Sequence, residues 1–383
     1  MNKLIRVSTI PLSLNILLKG QLGFLNKYFN VIAVSGSGTD LTEVAEREGV
    51  LTHTIDMQRS ISPFKDIVSL VKLFSFFKKE KPQIVHSITP KAGLLSMLAA
   101  KLAGVPIRMH TFTGLIFPTR TGLMQKILIQ MDRLLCACAT HIYPEGNGVK
   151  QDLITYKITN KPLKVIGNGN INGIDVVHFS ANAVSLQQKQ ELKADLDIKN
   201  NDFVFVFIGR LVADKGINEL VKAFSRFQTG KLLLVGPLET ALDPLSDKTL
   251  AAISSDKNII SVGFQKDIRP YLAISNVLVF PSYREGFPNV PMQAGCFNLP
   301  SIVTDINGCN EIIKNELNGL IIPVKDDAAL HNAMTWLFED EELYQKLKGN
   351  ARQMIVDRFE QTHLWALLLQ EYQELLTKDA PIS

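Results

Sequence analysis

Arg210, Lys215 and Glu285 are the residues whose types and spacing could do chemistry. Arg210 and Lys215 lie in GRLVADKG (209–216), directly after the apolar run FVFVFIG and before INELVKAFSRF. Two cations in a strand-to-helix loop suit a diphosphate, because each can donate charge-assisted hydrogen bonds to its oxygens. Glu285 lies in PSYREGFPNVPMQAG (281–295), after a second apolar, β-branched run, NVLVF, that stops at Pro281. The Gly-Phe-Pro turn that follows opens a short helix carrying Gln293, eight positions beyond Glu285. A helix that starts at the carboxyl end of a buried strand points N–H groups at any anion arriving there. Taken singly, each of these charges has a plainer reading, Glu285 as a complement to a helix dipole and the cations as solvated surface groups.

A second candidate is HSITPKAG (86–93), where His86 is expected at a strand end and Thr89-Pro90-Lys91 at a helix start. Proline at a first helical position with Lys91 beside it would make an anion site; a helix cap next to a partly buried histidine is the alternative. HTFTGL (110–115) offers His110, expected in a strand, followed by Thr113 and Gly114. Thr113 can donate and accept a hydrogen bond but is no base near neutral pH. Asp195 and Asp197 in DLD could suggest a metal, but at the end of a polar helix they read as exposed helix-end carboxylates. Cys136, Cys138, Cys296 and Cys309 lack zinc spacing and read as buried, reduced thiols of a cytoplasmic protein.

The elements that must position these residues alternate between strand and helix. KLIRVST, VIAVS, THTID, QIVHS, IRMHT, HIYP and LKVIG read as strands in the first half, with amphipathic helices such as IVSLVKLFSFFKKEK and GLLSMLAAKLAG between them. Such alternation implies an α/β fold, a parallel sheet covered on both faces. It pauses at GNGNINGIDVVHFS (167–180) and the polar helix SLQQKQELKADL, then resumes at Phe203. Two Rossmann-like domains facing each other across a cleft are therefore expected, over 1–180 and 198–357, and 383 residues suffice for two cores. No GxGxxG follows the first strand, which disfavours a nicotinamide enzyme.

Charge is divided unevenly. Residues 1–180 hold 21 Lys/Arg against 11 Asp/Glu, and the remainder holds 20 against 26. The basic first half suits an anionic partner, either a phospholipid surface or a diphosphate-bearing acceptor. Nucleic acid is not favoured, because no Lys/Arg run with interleaved aromatics occurs. The longest charge-free run, 286–304, contains Pro288, Pro291 and Pro300 and cannot be a spanning helix. Any membrane contact is therefore expected to be peripheral. Segment 64–79, with Phe64, Phe74, Phe76, Phe77, Lys65, Lys72, Lys78 and Lys79, could supply it, or could be an ordinary core helix with a cationic face.

Across nearly its whole length the chain resembles the family 4 retaining GT-B glycosyltransferases of bacterial polysaccharide and glycan assembly. GRLVADKG, VGFQKDI (262–268), SYREGFP (282–288), VTDINGCNEII (303–313) and NGLIIP (318–323) carry the resemblance. It implies a nucleotide-diphosphate sugar as donor, with a UDP-linked hexose or N-acetylhexosamine favoured. The base would lie near Gly263 and Phe264, and the diphosphate on Arg210, Lys215 and the backbone of Gly286, Phe287, Pro288, Asn289 and Val290, with Gly209 in the same site. Glu285 would bind a hydroxyl of the donor sugar. Relatives carry a second glutamate for the ribose where this chain has Gln293, and often a histidine where it has Thr113. The resemblance further implies front-face attack with the leaving diphosphate helping to deprotonate the acceptor, no cofactor and no metal. A C-terminal helix, about 358–383, would pack back on the first domain. The acceptor would be a lipid-linked glycan, such as an undecaprenyl-diphosphate sugar of capsule or O-antigen assembly, at the anionic inner face of the membrane. His86, Lys91, Thr113 and Gly114 would face it. Two other functions fit the architecture: a nucleotide-sugar 2-epimerase, for which His86 and His110 could serve as acid and base, and a non-catalytic nucleotide-sugar-binding protein.

Overall fold

The structure, a computed structural model, describes residues 1–58, 62–227, 229–241 and 243–378. The chain divides into two compact units, Met1–Gly173 with Gln361–Ser383, and Ile174–Glu360. The boundaries thus fall at 173 and 360, where the sequence suggested about 180 and 358.

The first unit runs β1 (Lys3–Val7), α1 (Pro11–Leu17), α2 (Gln21–Asn26), β2 (Asn30–Ser35), α3 (Thr39–Glu48), β3 (Leu51–Thr54), α4 (Pro63–Glu80), β4 (Ile84–Ile88), α5 (Pro90–Ala103), β5 (Ile107–Phe112), α6 (Gly122–Cys138), β6 (His141–Pro144) and α7 (Asn147–Thr155). Its six strands form one parallel sheet in the order β3-β2-β1-β4-β5-β6. Successive strand residues serve opposite faces, as a doubly covered sheet requires. Leu4 joins the core formed with Leu14, Leu22 and Leu41, whereas Ile5 joins that formed with Leu73, Phe77 and Leu95. LKVIG, expected as a seventh strand, is not one. Only Leu163 bridges Ile142, and the chain turns away through Gly167 and Gly169, both at positive φ.

The second unit runs α8 (Leu186–Asp195), β7 (Val204–Ile208), α9 (Ile217–Phe224), β8 (Lys231–Val235), α10 (Asp247–Ser255), β9 (Ile259–Ser261), α11 (Arg269–Ala273), β10 (Val277–Phe280), α12 (Asn289–Cys296), β11 (Ser301–Thr304), α13 (Cys309–Ile312), β12 (Gly319–Ile322), α14 (Asp327–Glu339) and α15 (Glu341–Phe359). Its parallel sheet has the order β12-β11-β10-β7-β8-β9. Strand order reverses between β1 and β4 in the first unit and between β7 and β10 in the second. Such switch points open a crevice at the carboxyl edge of the strands, where ligands of open α/β sheets bind.

The final helix, α16 (Gln361–Lys378), belongs to the first unit. Residues 379–383 of the expected C-terminal segment lie outside the described residues. Helix α16 is pinned by polar contacts as well as by Leu368 and Leu375. Trp365 Nε1 donates to Asn172 Oδ1 at 2.8 Å. Tyr372, fully buried, accepts from Arg6 Nη1 at 2.7 Å and meets His86 Nδ1 at 2.6 Å. A hydroxyl that accepts from a guanidinium donates its own proton, so His86 Nδ1 is the acceptor and Nε2–H donates to Thr111 Oγ1, 2.8 Å away.

Candidate functional site

The loops after β7 and β10 flank the switch point of the second unit, and they carry the residues singled out from sequence. Between them runs a series of side-chain contacts. Lys215 Nζ forms an ion pair with Glu285 Oε1, the two side chains 17% and 16% exposed. Arg284 Nη2 meets Asp214 Oδ2 at 3.0 Å. Tyr283 N donates to Asp214 O at 2.9 Å. Burial and a hydrogen bond to Glu219 push the Tyr283 phenol up, so it remains protonated. Arg210, nearly half exposed, pairs with Glu239 at 2.9 Å. The sequence pointed to Arg210, Lys215 and Glu285; it did not single out Asp214, Glu219, Glu239, Tyr283 or Arg284. Asp214 and Arg284 are chain neighbours of residues it did select, while Glu239, in the loop after β8, carries no local signal.

Two glycines allow close backbone approach at this site, Gly216 between the loops after β7 and β10 and Gly308, after β11, behind the second of them. Gly216 has φ +72° and lies against the Pro281 carbonyl so closely that a Cβ would overlap it. Gly308, φ +75°, backs the turn after Glu285, where a Cβ would lie 2.6 Å from Gly286 O and 2.7 Å from Phe287 Cα. Phe287 anchors this turn in the core, 5.5 Å from the Phe359 ring. Thr304 Oγ1 donates to Ser282 O. Arg358 holds the segment behind it, donating to Glu311 O at 2.9 Å and Ile312 O at 2.6 Å. Cys309 is buried beneath the pair, its thiol pushed up by burial and by the Glu285 charge. The Glu285 loop is thus built on packed supports.

Helix α12 begins at Asn289 with Pro288 at its N-cap position and no side-chain cap. Pro288 is buried, Val290 half-buried, and Gln293 half-exposed on the second turn. Gly209 ends the strand β7 run, Gly263 has φ +67°, and Phe264 beside it is 72% exposed. An exposed aromatic of that size is suited to stacking on a planar ligand. Asp195 closes α8 and Asp197 follows it, both exposed, and among the described residues no group of three or more His, Cys, Asp or Glu is arranged to hold a metal.

In the first unit the expected residues divide. Thr113 and Gly114 follow β5 and are half-buried. His86 is not at a strand end; it lies mid-β4, 2% exposed, with both ring nitrogens engaged. Burial, then Arg6 and His110, hold it well below the ordinary histidine range. His110 is also buried, bonded to Ser87 Oγ at 2.8 Å, and driven by burial to about 3. Neither imidazole is available to the solvent side of the sheet. Lys91 follows Pro90 at the start of α5 as expected, but it is 7% exposed and its ammonium meets Asp66 Oδ2 of α4 at 2.5 Å. An internal carboxylate therefore holds the position read as an anion site. At the switch point of this unit, Thr9 Oγ1 and Thr89 Oγ1 lie 2.8 Å apart.

Comparison with known proteins agrees with this architecture. Residues 188–354 match the family model of glycosyl transferases group 1, and residues 16–145 that of glycosyl transferase 4-like proteins. The chain is 32% identical over 366 residues to the capsular polysaccharide biosynthesis glycosyltransferase CapM of Staphylococcus aureus, covering 94% of each chain. It is 31% identical to the Escherichia coli UDP-Gal:alpha-D-GlcNAc-diphosphoundecaprenol alpha-1,3-galactosyltransferase, covering 84% of this chain and 85% of the relative. Among solved structures, Anabaena HepE in complex with UDP and glucose superposes with TM-score 0.83 over 98% of this chain and all of that one, at 15% identity. The two Rossmann-like domains are those of a GT-B glycosyltransferase. The chain belongs to family 4 of these enzymes.

Proposed function

We propose that the chain transfers a sugar from a nucleotide-diphosphate donor, favoured as a UDP-hexose or UDP-N-acetylhexosamine, to an undecaprenyl-diphosphate-linked acceptor, with retention of configuration. The process served is cell-surface glycan assembly, at the inner face of the cytoplasmic membrane. The observation that carries this reading is the Lys215–Glu285 pair at the switch point of the second unit, a cation and a carboxylate within reach of one ligand. The E. coli relative, named for a UDP-sugar donor and a diphosphoundecaprenol acceptor, supports the donor and acceptor classes.

In this reading the donor diphosphate takes Lys215, Arg210 and the backbone of the turn at 286–290. Arg210 is reached by displacing Glu239 from it. Phe264 and Gly263 receive the base, Gln293 the ribose, and Glu285 a hydroxyl of the transferred sugar. The anomeric C1–O bond to the β-phosphate breaks while the acceptor hydroxyl oxygen bonds to C1 on the same face. The hydroxyl proton passes to the departing phosphate oxygen, so no protein base is required. Fixed cations at that phosphate stabilise the charge that develops on it, an effect typically worth about 3 kcal/mol per donor group. The nucleotide sugar is a co-substrate, and no resident cofactor takes part.

The test is transfer from a panel of UDP-, GDP- and TDP-sugars to an undecaprenyl-diphosphate-linked N-acetylhexosamine. Glycosyl transfer from a UDP-sugar with retained anomeric configuration is the expected result. Conversion of the donor without any acceptor would replace this reading by epimerisation.

A further inference from the structure

We infer that the outward face of α4 in the first unit is a docking surface for anionic phospholipid, with the apolar stripe Phe64, Ile67, Val68 and Val71 as its inserting edge. This inference rests on the proposed lipid-linked acceptor but concerns a surface away from the donor residues.

Four phenylalanines made this segment conspicuous in sequence, and the structure removes most of them from consideration. Phe77 is a core residue, 1% exposed, and Phe76 stacks on His53 with ring centroids 4.1 Å apart. Exposed instead are Phe64 at 87%, Ile67 at 59%, Val68 at 54% and Val71 at 57%. Their spacing of i, i+3, i+4 and i+7 places all four on one side of the helix. Ser69, Leu73 and Phe77, on the opposite side, face the sheet. Helix α4 is therefore apolar on two faces, and among the described residues only one of them has a partner.

Charge selects the occupant. Lys65 and Lys72 border the stripe, both exposed, and neither lies in an ion pair among the described residues. The two carboxylates of the helix are already neutralised, Asp66 by Lys91 and Glu80 by Lys3. An apolar strip bordered by lysines outside any ion pair matches the boundary between anionic headgroups and acyl chains. A second copy across a two-fold axis would instead bring lysine against lysine.

Position on the fold gives the surface a use. In a parallel sheet the helix N-termini lie at the carboxyl edge of the strands, and the stripe occupies the N-terminal half of α4. The Asp66–Lys91 pair ties its first turn to the start of α5, at that same edge. An acceptor whose polyprenyl chain remains in the bilayer would meet the first unit at the end where its strand-terminal loops lie.

The experiment is flotation of the full chain with phosphatidylcholine vesicles containing roughly a third phosphatidylglycerol, at low salt. Wild type should float with these vesicles and not with pure phosphatidylcholine. Phe64→Ser/Val68→Ser/Val71→Ser should weaken partitioning at least about tenfold. Lys65→Gln/Lys72→Gln should weaken it about tenfold or more at low salt. Both variants should keep the wild-type UDP thermal shift and transfer to a short-chain, water-soluble acceptor. Wild type that stays in the pellet, or a serine variant that floats like wild type, overturns the inference. So does self-association of wild type that the serine variant abolishes. Transfer to the soluble acceptor without flotation would sink the membrane surface alone; flotation without transfer would sink the proposed activity alone.

Discussion

Lys215 and Glu285 neutralise each other across the switch point of the second unit, although one is suited to a phosphate and the other to a sugar hydroxyl. On the proposed reading the pair would couple the two halves of a donor, because a diphosphate that draws Lys215 would free the carboxylate to accept from the sugar. Its supports, Phe287 on Phe359 and Arg358 on the backbone of α13, fix the Glu285 loop without using either charge.

The two members of the pair should separate in a binding and a rate measurement. Lys215→Ala is expected to lose both the thermal shift produced by UDP and about a hundredfold or more in turnover. Glu285→Gln should retain the UDP shift, because its proposed partner is the sugar and not the nucleotide, while turnover falls. Near-wild-type turnover of Lys215→Ala would refute the assignment of that lysine to the diphosphate.

Gly308 is a structural determinant of the same loop. Alanine there must adopt φ +75° and press its Cβ on Gly286 and Phe287. We expect Gly308→Ala to lose about 1–3 kcal/mol of stability and to weaken UDP binding more than Gly49→Ala, whose Cβ would meet nothing within 4 Å. The two variants compared by chemical denaturation and UDP titration decide this; equal behaviour would remove Gly308 from the support of the turn.

Chelation bears on how the leaving group is stabilised. With Arg210 and Lys215 as the cations at the diphosphate, transfer should continue in EDTA at the rate seen with added Mg²⁺. Loss of turnover in EDTA, restored by Mn²⁺ or Mg²⁺, would transfer that role to a metal.

Most of the fold was legible because parallel strands buried on both faces are short apolar runs between turn residues. FVFVFIG and NVLVF became β7 and β10, and the switch point brings their loops together. LKVIG is likewise short, mostly apolar and β-branched but stops pairing after Leu163, since what ends a sheet is the course of the chain and not the residues of its last segment. His86 was legible as a strand residue, with partial burial as one of two readings, but not as a fully buried one in mid-strand. Its hydrogen-bond partner Tyr372 lies on a helix at the other end of the chain. Likewise, the spacing of Lys91 and Asp66 does not show that they meet, and Arg210 gives no sign of Glu239.

The buried histidines make the first unit acid-sensitive in a calculable direction. His86 and His110 are held neutral in the fold, far below the value near 6.5 that they take in the unfolded chain. The unfolded state therefore binds more protons below that pH, and stability falls as pH drops. For His110, driven to about 3, the loss is about 2 kcal/mol at pH 5 relative to neutral pH and continues towards about pH 3, and His86 acts in the same direction. The two tryptophans separate the units, since Trp365 lies in the first and Trp336 in the second. With Trp336→Phe, the fluorescence of Trp365 should report a denaturation midpoint that falls steeply between pH 7 and 5. With Trp365→Phe, the Trp336 signal should move less over the same range. A Trp365 midpoint that stays level across that range would show that at least one of these imidazoles accepts a proton in the folded chain.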